Sequence, residues 1–144
     1  MSEQEPEPRR EEAASRGRAA SPGEASLRAG PAVRDVRAQP LGDGEAVIVS
    51  LSGDIDLHRS PAVRAELIRQ ANRRPERLVV DLTGVHYMDS SGVASLIEAL
   101  QRIKKHKGDM VLVGPSERVL SIFQIARLDT IFRIVASRQE AMTP

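Results

Sequence analysis

With 144 residues the chain has room for one domain and a tail, and a formal charge of +1 leaves no electrostatic footprint for a nucleic-acid groove or an anionic membrane surface. The absence of cysteine excludes disulfides and thiolate metal sites, and one Tyr, two Phe and no Trp supply few platforms for base stacking. No apolar run is long enough to span a bilayer, and the first residues are rich in Glu, Pro and Arg where a secretory signal would be apolar, so the expected location is the cytoplasm.

Residues 1–32 contain no Val, Ile, Phe or Tyr, and Leu27 is their one sizeable aliphatic after Met1. Such a segment cannot bury enough apolar area to offset its ordering entropy, which predicts a disordered tail over 1–32 and a domain over 33–144. Val33 to Gln39 is the first strand candidate, although Val33 and Val36 are three apart and strict alternation would place them on opposite faces. Pro40-Leu41-Gly42-Asp43-Gly44 reads as a turn, and Glu45 to Ser52 as a β-branched strand that Gly53-Asp54 should break. Ser60-Pro61 carries the N-cap and N1 signature of a helix running to about Asn72, with Val63, Leu67 and Ile68 as its apolar stripe.

Leu78 to Leu82 is apolar at every position but Asp81, as expected of a short strand covered on both faces and followed by a turn. Ser91 to about His106 predicts a second helix, with Val93, Leu96, Ile97, Leu100 and Ile103 at helical spacing. Gly108 stops it, and Met110 to Val113 forms the next strand. Pro115-Ser116 opens a third helix carrying Val119, Leu120, Phe123 and Ile125, before a strand at Ile131 to Val135 and a helical turn from Ser137. The order ββαβαβαβ with short connections implies an α/β domain, a mixed open sheet covered by helices.

Asp89-Ser90-Ser91-Gly92 stands at the start of the second helix and offers three side-chain caps where one suffices. A serine hydroxyl facing free helix N–H groups is also well placed to carry a phosphate. As a nucleophile either serine would need a base, yet His58, His86 and His106 lie in separate elements and no Gly-x-Ser-x-Gly elbow is present, so no catalytic residue is expected. The residues alone do not separate Ser90 from Ser91, and they favour Asp89 as a cap over a carboxylate set beside an incoming phosphate, which it would repel. Asp54 and Asp56 place two carboxylates in one turn, too few oxygen ligands for Mg²⁺ or Ca²⁺, and they read as turn formers and surface contacts. Lys104, Lys105 and Lys107 complement the dipole at the end of the second helix. No glycine-rich phosphate loop is present, and neither a cofactor nor a metal is expected.

Tyr87-Met88-Asp89-Ser90-Ser91-Gly92 resembles the phosphorylation loop of the bacterial anti-sigma factor antagonists, which are single STAS domains. Leu51-Ser52-Gly53-Asp54-Ile55-Asp56 is similar to that family's strand-end turn, and Gly108 to Val113 with Pro115 to Ile134 resembles its last strands and third helix, so the likeness covers about residues 33 to 142. The resemblance implies a STAS fold and a phosphate acceptor at Ser90, with Asp54, Asp56, Asp89, Ser91 and Gly92 on the partner-binding face. It implies as partners an anti-sigma factor serine kinase, bound by the unmodified chain so that a sigma factor is released, and a serine phosphatase that restores the modified form. Neither nucleic acid nor membrane is an expected partner. Ala94 departs from the family, many of whose members have a second glycine there. An accessory subunit of a lipid-transport ATPase is the alternative role for the same domain, and a hydrolase using Ser90 a third; the Asp-Ser-Ser-Gly tetrapeptide favours the phosphoswitch.

Overall fold

The computed structural model describes residues 31–144. All but the last two residues of the expected disordered tail lie outside the described residues. Ala32 is buried, and its carbonyl accepts a bond from the Ser52 N–H at 2.9 Å, while the Pro31 carbonyl accepts one from Ser52 Oγ at 3.1 Å.

Strands β1 (Val33–Leu41) and β2 (Gly44–Ile55) form an antiparallel hairpin. Its turn is Gly42-Asp43 alone, and Gly42 takes a φ of +59°, the sign that a type II′ turn demands at its first central position. Pro40 and Leu41, expected in the turn, stay in β1, an edge strand where a missing N–H is tolerated. The spacing of Val33 and Val36 has a local cause. Val33 pairs with Leu51 but Asp35 with Ser50, so Arg34 is the extra residue of a β-bulge. That bulge resets the alternation and puts Val33 and Val36 on one face, opposite Leu51 and Val49.

After α1 (Ser60–Asn72) come β3 (Arg77–Met88), α2 (Ser90–Lys105), β4 (Asp109–Val113), α3 (Glu117–Ile125), a 3₁₀ turn (Leu128–Thr130), β5 (Arg133–Val135) and α4 (Arg138–Ala141). The five strands lie side by side in chain order, with β2 to β5 parallel. Because every crossover steps one strand in the same direction, right-handed connections lay α1, α2 and α3 on the same face. There Val63 and Leu67 of α1, Leu96 and Ile103 of α2, and Val119 and Phe123 of α3 meet Val49, Leu78, Val80 and Leu82 in the main core. Phe132 closes it with an edge-on contact to Phe123, ring centroids 5.8 Å apart. The other face has a smaller cluster of Ile48, Val79, Val111 and Val113 under Ala141 of α4. Among the described residues no helix is long and apolar enough to cross a membrane.

Two strands outrun their expected ends. Gly53, at φ +78°, carries β2 past the expected break to Ile55, and β3 continues from Leu82 to Met88 where a turn was expected. Two further irregularities keep them paired: β3 spends extra residues between Asp81 and Gly84 and between Val85 and Tyr87. At the chain's end the 3₁₀ turn holds Ile131, whose N–H bonds the Leu128 carbonyl, so β5 begins at Arg133. Ser116 and Ser137 cap α3 and α4 by accepting from the Val119 and Glu140 N–H groups.

Candidate functional site

Because β2 and β3 are parallel and end together, with Asp54 opposite Tyr87 and Ile55 opposite Met88, the loops that follow them meet at one pole of the sheet. The carboxyl ends of parallel strands are where open α/β sheets place their ligands. A bond of 3.1 Å from the Asp89 N–H to the Ile55 carbonyl ties the two loops together.

Asp89 has an extended backbone and caps α2, which begins one residue earlier than its pattern indicates, at Ser90. Its Oδ1 accepts from the Ser91 N–H at 2.9 Å, the Gly92 N–H at 3.3 Å and the Ser91 hydroxyl at 2.5 Å. The Ser91 hydroxyl, then the N–H groups of Gly92, Ser91 and Leu57, hold the Asp89 carboxyl below the usual carboxylate range against the opposing push of desolvation. Asp89 is therefore anionic at neutral pH, and the Leu57 contact reaches it from the β2–α1 loop.

This cap separates the two serines. Ser91 is half-buried with its hydroxyl spent on Asp89. Ser90 is exposed, and its hydroxyl has no hydrogen-bond partner among the described residues. Among the described residues no side chain is hydrogen-bonded to it. It can still receive a group from another enzyme's active site.

Asp56 does work that the pattern assigns to Ser60. Its Oδ1 accepts from the His58 and Arg59 N–H groups at 3.0 and 3.1 Å, and its carbonyl accepts from the Ser60 N–H at 2.8 Å. Ser60 is the first helical residue and buried, not the N-cap; that position falls to Arg59, which makes no side-chain cap bond. Asp54 is exposed, and its carboxylate has no partner among the described residues. Gly92 is buried: a Cβ there would lie 2.6 Å from Met88 Cγ, 2.9 Å from Ile55 Cγ2 and 3.1 Å from the Ile55 carbonyl oxygen. Its bare backbone lets α2 rest on the ends of β2 and β3. The pole thus brings together all six residues singled out in sequence, with Ser90 and Asp54 outermost and Gly92 beneath.

Sequence reasoning missed a groove of about 750 Å³ beside Ser90, between α2 and α3, lined by Tyr87, Val93, Ala94, Ile97, Ile122 and Leu128. The signal for it was Ile97, an apolar residue at the margin of the buried stripe of α2 that stays half-buried. The Arg118 guanidinium stands over the Tyr87 ring at 5.2 Å from its centroid.

Residues 38–141 match the family model described as the STAS domain. The chain is similar to the anti-sigma-B factor antagonist of Listeria monocytogenes, 30% identical over 92 residues that make up 64% of this chain and 81% of that one. Against the anti-sigma-B factor antagonist of Bacillus subtilis it is 32% identical over 91 residues, 63% of this chain and 83% of the relative. Its fold is like that of the anti-sigma factor antagonist SpoIIAA, solved in an unphosphorylated form (TM-score 0.62, 22% identity, 75% of this chain and 93% of that one) and in a phosphorylated form (TM-score 0.58, 21% identity, 75% and 96%).

Proposed function

The chain belongs to the STAS-domain family of anti-sigma factor antagonists, and from that premise we propose that it releases a sigma factor by binding an anti-sigma factor serine kinase, with phosphorylation of Ser90 as the off switch. The observation that carries this reading is the division of labour at the head of α2. Asp89 and Ser91 satisfy each other and the helix, which leaves the Ser90 hydroxyl exposed and unspent. A kinase needs such a hydroxyl. That SpoIIAA, which has a similar fold, is solved in an unphosphorylated and a phosphorylated form supports the same reading.

The electrostatics explain how the switch works. A phosphoserine carries about −1.5 to −2 charges at neutral pH. Helix N–H groups that would welcome it are already occupied by Asp89, so the phosphate stays at the surface beside an ionised carboxylate and on the same pole as the free carboxylate of Asp54. A surface that docks when Ser90 is bare becomes one that repels an acidic partner face and no longer fits. In this scheme Asp54 contacts the kinase directly, Asp56, Ser91 and Gly92 hold the two loops in shape, and Asp89 does both. A serine phosphatase resets the protein in the cytoplasm, and the chain itself acts by binding, not by catalysis. A transport-accessory role would use the same pole without needing a free hydroxyl at its centre.

The reading is tested by incubating the full chain with the anti-sigma factor kinase of its own organism and ATP, then mapping phosphate by mass spectrometry. Phosphate on Ser90 alone, abolished in Ser90→Ala, is the expected result. Phosphate on Ser91, or none on either serine, would overturn it.

A further inference from the structure

We propose that the face of the sheet opposite α1–α3 carries a binding site for a small phosphate-bearing anion, in a hollow of about 410 Å³ between β1, β3 and α4. A regularly pleated sheet offers no concavity. Here the bulge at Arg34 of β1 and the irregularity between Asp81 and Gly84 of β3 flank the same stretch of β2, Ser50 to Ser52, and the hollow opens between them.

The chemistry of its walls is one-sided. Arg138 of α4 gives Nε to Asp81 Oδ2 and Nη2 to Ser50 Oγ, both at 2.7 Å, and its remaining N–H donors have no partner among the described residues. Arg37 spends only Nε, on Asp35, and Arg34 spends nothing. The Asp81 carboxylate on the floor is used up: Oδ1 takes the Thr83 N–H at 2.9 Å and the Thr83 hydroxyl at 2.7 Å, while Oδ2 holds Arg138; Asp35, on the rim, is paired through Oδ2 with Arg37 at 2.7 Å. Three guanidinium groups with unspent donors, against two carboxylates that are each paired with an arginine, call for a ligand rich in acceptor oxygens. Planar guanidinium forks match phosphate oxygens best. The volume falls within the roughly 300–1,000 Å³ of small-molecule pockets and exceeds what a bare ion fills.

Stability alone does not account for this arrangement. The half of the face that α4 covers with Ala141 is packed by valines and an isoleucine, whereas at Asp81–Arg138 the carboxylate is buried and the Arg138 side chain is 41% exposed, so its fork stays open to solvent over the hollow. Asp81 is a positioning residue that fixes the Arg138 fork over the hollow.

The test is an NMR titration of the full ¹⁵N-labelled chain with inorganic phosphate, with chloride at equal ionic strength as control. Saturable shifts of the Thr83 amide and the Arg138 Nε–H are expected, with affinity lowered about tenfold in the Arg34→Ala/Arg37→Ala double variant. Both residues are exposed, so the variant keeps the fold, and an unchanged spectrum away from the hollow verifies this. Tighter binding of glycerol 3-phosphate than of phosphate would support a free phosphate ester as the ligand. Binding strengthened only on phosphatidic acid vesicles would support a lipid headgroup carrying the same group. Shifts no different from those with chloride, or equal affinity in the double variant, would overturn the site.

Discussion

At the scale of single residues, the site depends on Asp89 more than on the serines it precedes. One carboxylate oxygen caps two N–H groups and engages the Ser91 hydroxyl, which determines which serine remains available. Its folded-state pKa is lowered, so its contribution to stability is fully present above the ordinary carboxylate range and is lost as pH falls from that range through the lowered folded value. Asp89→Asn should therefore flatten the acid side of the stability profile, measured as thermal midpoint against pH, and Asp89→Ala should free the Ser91 hydroxyl and let the kinase modify both serines. Gly92→Ala forces a methyl group against Met88 and Ile55, with contacts of 2.6 and 2.9 Å that the packed strand ends cannot relieve without shifting. A loss of about 1–3 kcal/mol in denaturant unfolding is expected. By residue type alone Ser90 and Ser91 were indistinguishable, because both hydroxyls sit at the same helix end, and only the family resemblance pointed to Ser90. What separates them is the reach of one side chain back to Asp89, a property of cap geometry that no residue pattern encodes.

At the scale of elements, the helices were legible and the strand ends were not. The apolar stripes of α1 and α2 have a 3.6-residue period that survives the loss of a residue at either end, and Ser116 and Ser137 are caps whose chemistry is local. Gly53 and the Thr83-Gly84 pair look like breakers, but a positive φ and an irregular pairing absorb them where β2 and β3, past Leu51 and Asp81, are still paired with each other. The α1 start was misassigned for a similar reason: Ser60-Pro61 has the residue types of a cap, whereas Asp56 has the geometry. Arg77 gave no signal at all. A charged residue at a strand start ordinarily points to solvent, yet here it is buried, donating from Nη1 to the carbonyls of Ala141 and Thr143, both at 2.9 Å, and pairing with Asp109 at 3.2 Å. Arg77→Ala should unfasten α4, with faster amide hydrogen exchange across Arg138–Ala141 and a global cost of about 1.5–3 kcal/mol.

At the scale of the whole molecule, the alternation of strands and helices was enough to indicate a mixed sheet with helices, and the one-directional strand order explains why one face carries three helices and the other a single turn of helix. The groove beside Ser90 and the hollow beneath Arg138 were beyond sequence because each is assembled from residues far apart in the chain. The N-terminal boundary is testable at this scale. Deleting residues 1–30 should leave the thermal midpoint of the domain unchanged, whereas deleting through Val33 removes the buried Ala32, its bond to Ser52 and the Val33–Leu51 pair, and should lower it. The central claim is that charge at Ser90 decides whether the pole can dock. The most direct measurement is calorimetric titration of the kinase with the unmodified chain and with the same chain stoichiometrically phosphorylated on Ser90. The account predicts tight binding of the first and an affinity at least about tenfold lower, some 1.4 kcal/mol or more, for the second. Equal affinity of the two forms would contradict it.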